Sequence, residues 1–115
     1  MRCMKIITRK QLMESPAGTL FSYYEPCIFR GLYIKDSEPN DGSTDFVVSS
    51  LIGAVSHDNS DEYVEILERM ESGESLPVDF EFTGREGLFD DEQLFSIYEK
   101  QDVEILIKRL QNTLV

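Results

Sequence analysis

The sequence is short of the side chains from which most catalytic sites are built. Its 115 residues contain one histidine, His57, and two cysteines, Cys3 and Cys27. A single histidine leaves no His–His pair for a metal and no obvious Ser/His/Asp or Cys/His arrangement, and its setting, SHDNSD, reads as a polar surface loop. Two cysteines allow at most one disulfide. Their spacing matches no zinc-ligand pair, so they are expected to be reduced thiols serving as small apolar residues. Phosphate-cradling loops of the GxxxxGK[ST] or GxGxxG type are missing. So is any apolar run near the ~20 residues that span a bilayer, and the opening MRCMKIITRKQLM lacks a secretory apolar core. The expectation is a soluble, cytoplasmic protein with no cofactor and no metal, and nothing recommends an enzyme.

Positive charge is scarce as well. Eleven Lys and Arg face 22 Asp and Glu, a formal net charge of -11. The balance is lopsided: residues 1–35 hold six bases (Arg2, Lys5, Arg9, Lys10, Arg30, Lys35) and two acids, whereas residues 36–104 hold twenty acids and three bases. Such a surface repels phosphate, which disfavours direct binding of nucleic acid or anionic membrane. Its natural complement is a basic protein. The plainer alternative is that the acidity only confers solubility.

What the chain does have is apolar material for one core. With 41% hydrophobic and 10% aromatic residues, residues 1–115 are expected to form a single compact domain rather than a disordered chain. The densest stretch is Gly18 to Lys35, GTLFSYYEPCIFRGLYIK, which reads as two strands joined at Glu25-Pro26. Ile28, Leu32 and Ile34 share one face of the second strand, and Phe29 and Tyr33 share the other. Both faces therefore need cover. Gly31 predicts a bulge that curls the sheet. These aromatics with Arg30 and Lys35 could form a stacking platform for single-stranded nucleic acid, but core packing is the favoured reading.

Around this hairpin, Met4 to Ile7 suits an edge strand, and Thr8-Arg9-Lys10-Gln11 is a capping box opening a helix that ends before Pro16. Asp36 to Thr44 is a loop. Asp41 and Val47 occupy the EF-hand positions that require glycine and a bidentate acid, which argues against a calcium site. Asp45 to Ser50 reads as a strand. Tyr63, Ile66, Leu67 and Met70 predict one apolar face of a helix over 61–71, with Asp61, Glu62, Glu65 and Glu68 as an acidic stripe opposite. Two of those acids also suit a helix N-terminus, and the stripe is either a solvated face or a contact surface. Val78 to Thr83, VDFEFT, alternates strictly and predicts a strand with Asp79 and Glu81 on its wet side. Gly84 to Gly87 should turn, and Asp90, Asp91 and Glu92 read as a solvated turn or helix start. Leu94 to Tyr98 suits either a strand or the end of a helix begun at Asp90, with the strand favoured because Asp102 reads as the cap of a separate final helix carrying Val103, Leu106, Ile107, Leu110 and Leu114 on one face.

The segment TRKQLMESPAGTLFSYYEP, together with GLFDD at Gly87 to Asp91 and the capped terminal helix, resembles small uncharacterised acidic proteins of tailed phages and prophages. That resemblance implies a context in which such proteins inhibit host nucleases, defence complexes or polymerases, some by imitating DNA. The fold expected from the residues is α+β, a curved and mainly antiparallel sheet of about five strands with two or three helices, with closure into an SH3-like barrel as one form. The expected function is non-enzymatic: an acidic surface of Asp61, Glu62, Glu65 and Glu68, then Asp79, Glu81, Asp90, Asp91 and Glu92, engages a basic nucleic-acid-binding protein. The alternative is an assembly protein whose basic first third meets the acidic part of a neighbour in a homo-oligomer.

Overall fold

The computed structural model describes residues 4–39 and 45–114. In chain order the elements are β1 (Met4–Thr8), α1 (Arg9–Met13), β2 (Leu20–Glu25), β3 (Ile28–Lys35), β4 (Val47–Ser50), α2 (Ser60–Glu71), β5 (Thr83–Arg85), β6 (Leu94–Tyr98) and α3 (Lys100–Gln111), closed by a short 3-10 turn at Asn112–Leu114. The strands form one antiparallel sheet of six, in the order β1-β6-β2-β3-β4-β5. It is an α+β fold. The sheet stays open, with β1 and β5 as its edges, so it has one strand more than expected and no SH3-like barrel is closed.

Local chemistry accounts for most of these elements. Thr8 caps α1 reciprocally: the Gln11 amide donates to Thr8 Oγ1 at 3.2 Å and the Thr8 amide donates to Gln11 Oε1 at 2.9 Å. The β2–β3 hairpin turns at Pro26 and Cys27, the latter at φ 68° and exposed, so this thiol sits at a loop tip and not in an apolar site. A register shift between Phe21 and Tyr23 marks the predicted bulge, with Gly31 at φ 69° opposite. Only glycine fits there, because an added Cβ would lie 2.5 Å from the Tyr33 ring. Ser22 Oγ donates to the Gly31 carbonyl at 2.7 Å and occupies the acceptor that the bulge frees.

The core lies on one face of the sheet. Ile7, Phe21 and Phe95 from neighbouring strands meet Leu12 of α1 and Phe46, with Tyr23, Tyr33, Val48 and Ile97 at the margin. The Phe21 ring stands 5.5 Å from Tyr33, 5.6 Å from Phe95 and 6.1 Å from Phe46. Each fully buried Phe contributes roughly 1.5–3 kcal/mol by leaving water. On the opposite face α3 covers Leu20, Leu32 and Ile34 only in part, leaving an apolar cleft of about 580 Å³ between these residues and Val103, Leu106 and Leu110. Neither α2 nor α3 buries a residue completely. The radius of gyration, 15.6 Å, accordingly exceeds the roughly 13 Å of a fully compact chain of this length.

Two boundaries differ from expectation. Val78 to Phe82 is not a strand, although its alternation is the cleanest in the sequence. The Asp79 carboxylate accepts the Glu81 amide at 3.0 Å and its carbonyl accepts the Phe82 amide at 3.2 Å, so Asp79 folds the backbone into a turn that competes with sheet pairing. Val78 and Phe80 are left 57% and 52% exposed. Pairing resumes at Thr83, and Gly84 and Arg85, expected in a turn, lie in β5 against β4. The last helix starts earlier than expected: the Glu99 amide donates to Asp102 Oδ2 at 3.1 Å, so Asp102 acts from inside the first turn rather than as its cap. Leu94 to Tyr98 is a strand, as expected, and β6 sits between β1 and β2. Cys3 and residues 40–44 of the 36–44 loop lie outside the described residues.

Candidate functional site

Two of the six cations of the first third, Arg9 and Lys35, are turned inward. Arg9, 2% exposed, pairs with Glu86 and stands 3.6 Å from Asp45, its guanidinium lying 5.1 Å from the Phe46 ring centre. Tyr23 donates its hydroxyl to Glu86 Oε2 at 3.0 Å. Burial, and then the Glu86 charge, raise the Tyr23 pKa well above that of a free phenol. Asp45 accepts from the Gly87 and Phe46 amides, each at 2.9 Å, and from Arg85 Nε at 3.1 Å. Burial works against its ionisation, but these donors outweigh it and hold the carboxyl below its usual range. The cluster ties α1 to the ends of β4 and β5.

Lys35, 1% exposed, donates from Nζ to the carbonyls of Ser15 at 2.7 Å and Ser37 at 2.6 Å. Burial pulls its pKa down, with Glu38 opposing. Arg30 bridges to Glu25 at 3.0 Å on the hairpin. Among the described residues, the basic third therefore exposes little unspent charge beyond Lys5 and Lys10. No sequence pattern signals Arg9 or Lys35 as buried: Glu86 comes to Arg9 from 77 residues away, and Lys35 is satisfied by backbone carbonyls, which leave no side-chain signature in the sequence.

The acids expected to form a contact surface lie elsewhere. Asn59 caps α2, its Oδ1 accepting the Glu62 amide at 2.8 Å, and Glu62 Oε2 accepts the Asp58 amide at 3.3 Å. Asp61, Glu65 and Glu68 are exposed and Glu62 is half-buried, while Tyr63, Ile66 and Leu67 turn their apolar side inward. Arg69 is held by Glu74 through two bonds of 2.8 and 2.9 Å. Asp79 and Glu81 are exposed, on the turn described above and not on a strand. Asp90 accepts the Glu92 amide at 3.0 Å through its carboxylate and the Gln93 amide at 3.1 Å through its carbonyl, so Asp90, Asp91 and Glu92 form an exposed turn. Gln93 pins that turn to the Tyr24 carbonyl at 3.0 Å, at the hairpin end of β2. The predicted acids thus fall on separate elements. Among the described residues, no group of three His, Cys, Asp or Glu side chains could hold a metal ion.

His57 joins two of these acidic pieces. It is half-buried rather than a surface loop residue, with Nδ1 2.9 Å from the Val55 carbonyl. Its ring lies 4.6 Å from Tyr63 of α2 and 5.1 Å from Phe82. Through it the first turns of α2 approach the segment bearing Asp79 and Glu81. The three rings line a recess of about 320 Å³ together with Tyr33, Val48 and Ser50. The 3.6-residue spacing shows Tyr63 facing inward, but nothing in sequence pairs it with His57.

No family model, no curated protein and no solved structure matches the chain. The reading of this surface rests on its own chemistry. Among the described residues no helix is long and apolar enough to cross a membrane.

Proposed function

We propose that this chain is a non-enzymatic binding protein whose acidic surface engages a basic, nucleic-acid-binding protein and occludes its nucleic-acid site. The observation that carries the reading is the charge of residues 58–81, nine carboxylates against one cation, Arg69, which Glu74 already holds. Five of those acids lie in α2, and Asp61, Glu62, Glu65 and Glu68 are the first four along it. At 1.5 Å per residue they cover about 10 Å of axis, one charge per roughly 3.5 Å, close to the ~3.4 Å per phosphate along one strand of B-DNA. A surface of that density steers a phosphate-binding protein towards it and competes with the nucleic acid for the same basic residues. The phage or prophage context that the opening segment resembles fits an inhibitor of a host nuclease, defence complex or polymerase.

Self-assembly through the basic first third is the second reading. It draws less support, because Arg9 and Lys35 are buried and Arg30 is bridged. The two readings separate in one experiment: capture from a host lysate by tagged protein at low and moderate salt, followed by a nucleic-acid binding assay on whatever is recovered. A recovered nucleic-acid-binding protein that releases its nucleic acid when this chain is added supports inhibition. Recovery of the chain alone, with a mass that collapses in salt, supports assembly.

A further inference from the structure

The recess around His57 differs from the apolar cleft under α3 in both lining and surroundings. Four ring-bearing side chains, Tyr33, His57, Tyr63 and Phe82, contribute to its wall, and no charged residue does. Three of these rings are flanked in the chain by acids: Asp58 follows His57, Asp61 and Glu62 precede Tyr63, and Glu81 precedes Phe82. The closest cation in sequence to the lining is Arg85, beside Gly84, and its Nε is engaged by Asp45 at 3.1 Å. Aromatic faces carry negative quadrupole charge and attract cations placed over them, and carboxylates on the flanking residues add to that field. A neutral or anionic guest gains from the rings alone or is repelled.

We infer that this recess is a binding site for an organic cation, the guanidinium of an arginine side chain. Guanidinium is planar, weakly hydrated and always charged, so it stacks on aromatic rings at a smaller desolvation cost than an ammonium. The side chain belongs to the basic partner, and in that respect the inference rests on the function proposed above: the acidic stripe supplies long-range attraction and the recess supplies an anchor point. Buried anchors of this kind carry a large share of an interface's affinity, whereas rim charges chiefly set the rate of encounter.

The test uses the full chain and a small probe, N-acetyl-arginine amide, with N-acetyl-citrulline amide as its uncharged isostere. Because His57 is the only histidine, its ring resonances report on the recess without ambiguity in a two-dimensional NMR titration. The arginine probe should shift them saturably, with Kd on the order of millimolar, and the citrulline probe should bind about tenfold more weakly or not at all. Phe82→Leu should weaken the arginine probe by about tenfold, and Tyr63→Phe, which keeps the ring, should bind it as the wild type does. Equal shifts by both probes, no saturable shift, or undiminished binding by Phe82→Leu would overturn the inference. A Glu65→Lys/Glu68→Lys variant separates this from the wider reading: it should lose capture of the protein partner yet still bind the arginine probe. Undiminished capture by this variant with an intact probe response refutes the acidic-surface reading alone, and lost capture with no saturable binding of the arginine probe refutes the recess alone.

Discussion

Replacing Arg9 by methionine keeps an unbranched apolar stem and removes the cation from between two carboxylates. The Glu86 and Asp45 side chains are 1% and 3% exposed, so neither can recover hydration without a rearrangement of the ends of β4 and β5. Breaking a buried pair by removing one partner costs about 3–5 kcal/mol, mostly as desolvation of the charge left behind. That is a large part of the roughly 5–15 kcal/mol that holds a domain together. With an unfolding entropy near 2.1 cal/mol/K per residue, 115 residues give about 0.24 kcal/mol/K, so the melting temperature should fall by about 12–20 °C. Asp45 keeps Arg85 and two amides, which places most of the penalty on Glu86. The double variant Arg9→Met/Glu86→Leu should therefore be more stable than the sum of the two single changes predicts, with a coupling of about 2–3 kcal/mol in a urea-denaturation cycle. A single-variant loss below about 1 kcal/mol, or additive effects, would refute the assignment of Arg9 as the charge that compensates Glu86.

Gly31→Ala should cost about 2–4 kcal/mol by denaturation, since it places a Cβ at positive φ and against the Tyr33 ring. Cys27→Gly should stabilise by about 0.5–1 kcal/mol, because glycine relieves a non-glycine residue at φ 68°. Asp45, held below its normal pKa, contributes stability that is present above about pH 3.9 and lost as the pH falls through its folded value; Asp45→Asn should flatten that acid limb. Tyr23, held above its normal pKa, keeps its proton in the folded state when the unfolded chain has lost it. Stability should decline as the pH rises past about 10, while Lys35, whose folded pKa is lowered, acts in the opposite sense only below about 10.4, and Tyr23→Phe should remove the decline.

Elements defined by local chemistry were readable from the residues. The Thr8/Gln11 box, the aromatic hairpin, the Gly31 bulge and the apolar face of α2 each follow from spacing within a few positions. Val78 to Phe82 was not readable, because one Asp79 carboxylate that accepts its neighbour's amide outweighs an alternation over six residues. The buried cations were hidden for a different reason. Arg9 and Glu86 are 77 residues apart, one following β1 and the other β5, the two edge strands, so only the assembled sheet brings them together. Of the four α2 acids expected on one stripe, Asp61, Glu65 and Glu68 are exposed and Glu62 is half-buried, and the aromatic recess beside them depends on His57 being drawn between α2 and Phe82, which composition does not encode.

The central claim, that the α2 carboxylates form a partner surface, is tested most directly by charge reversal. Wild-type protein, the Asp61→Lys/Glu62→Lys/Glu65→Lys/Glu68→Lys variant and the milder Glu65→Lys/Glu68→Lys variant, which spares the capped first turn, are compared as tagged baits in host lysate, with circular dichroism confirming the fold. The account predicts that the wild type alone recovers a basic nucleic-acid-binding protein and that recovery weakens as salt rises. Equal recovery by folded variants, or recovery indifferent to salt, would contradict it.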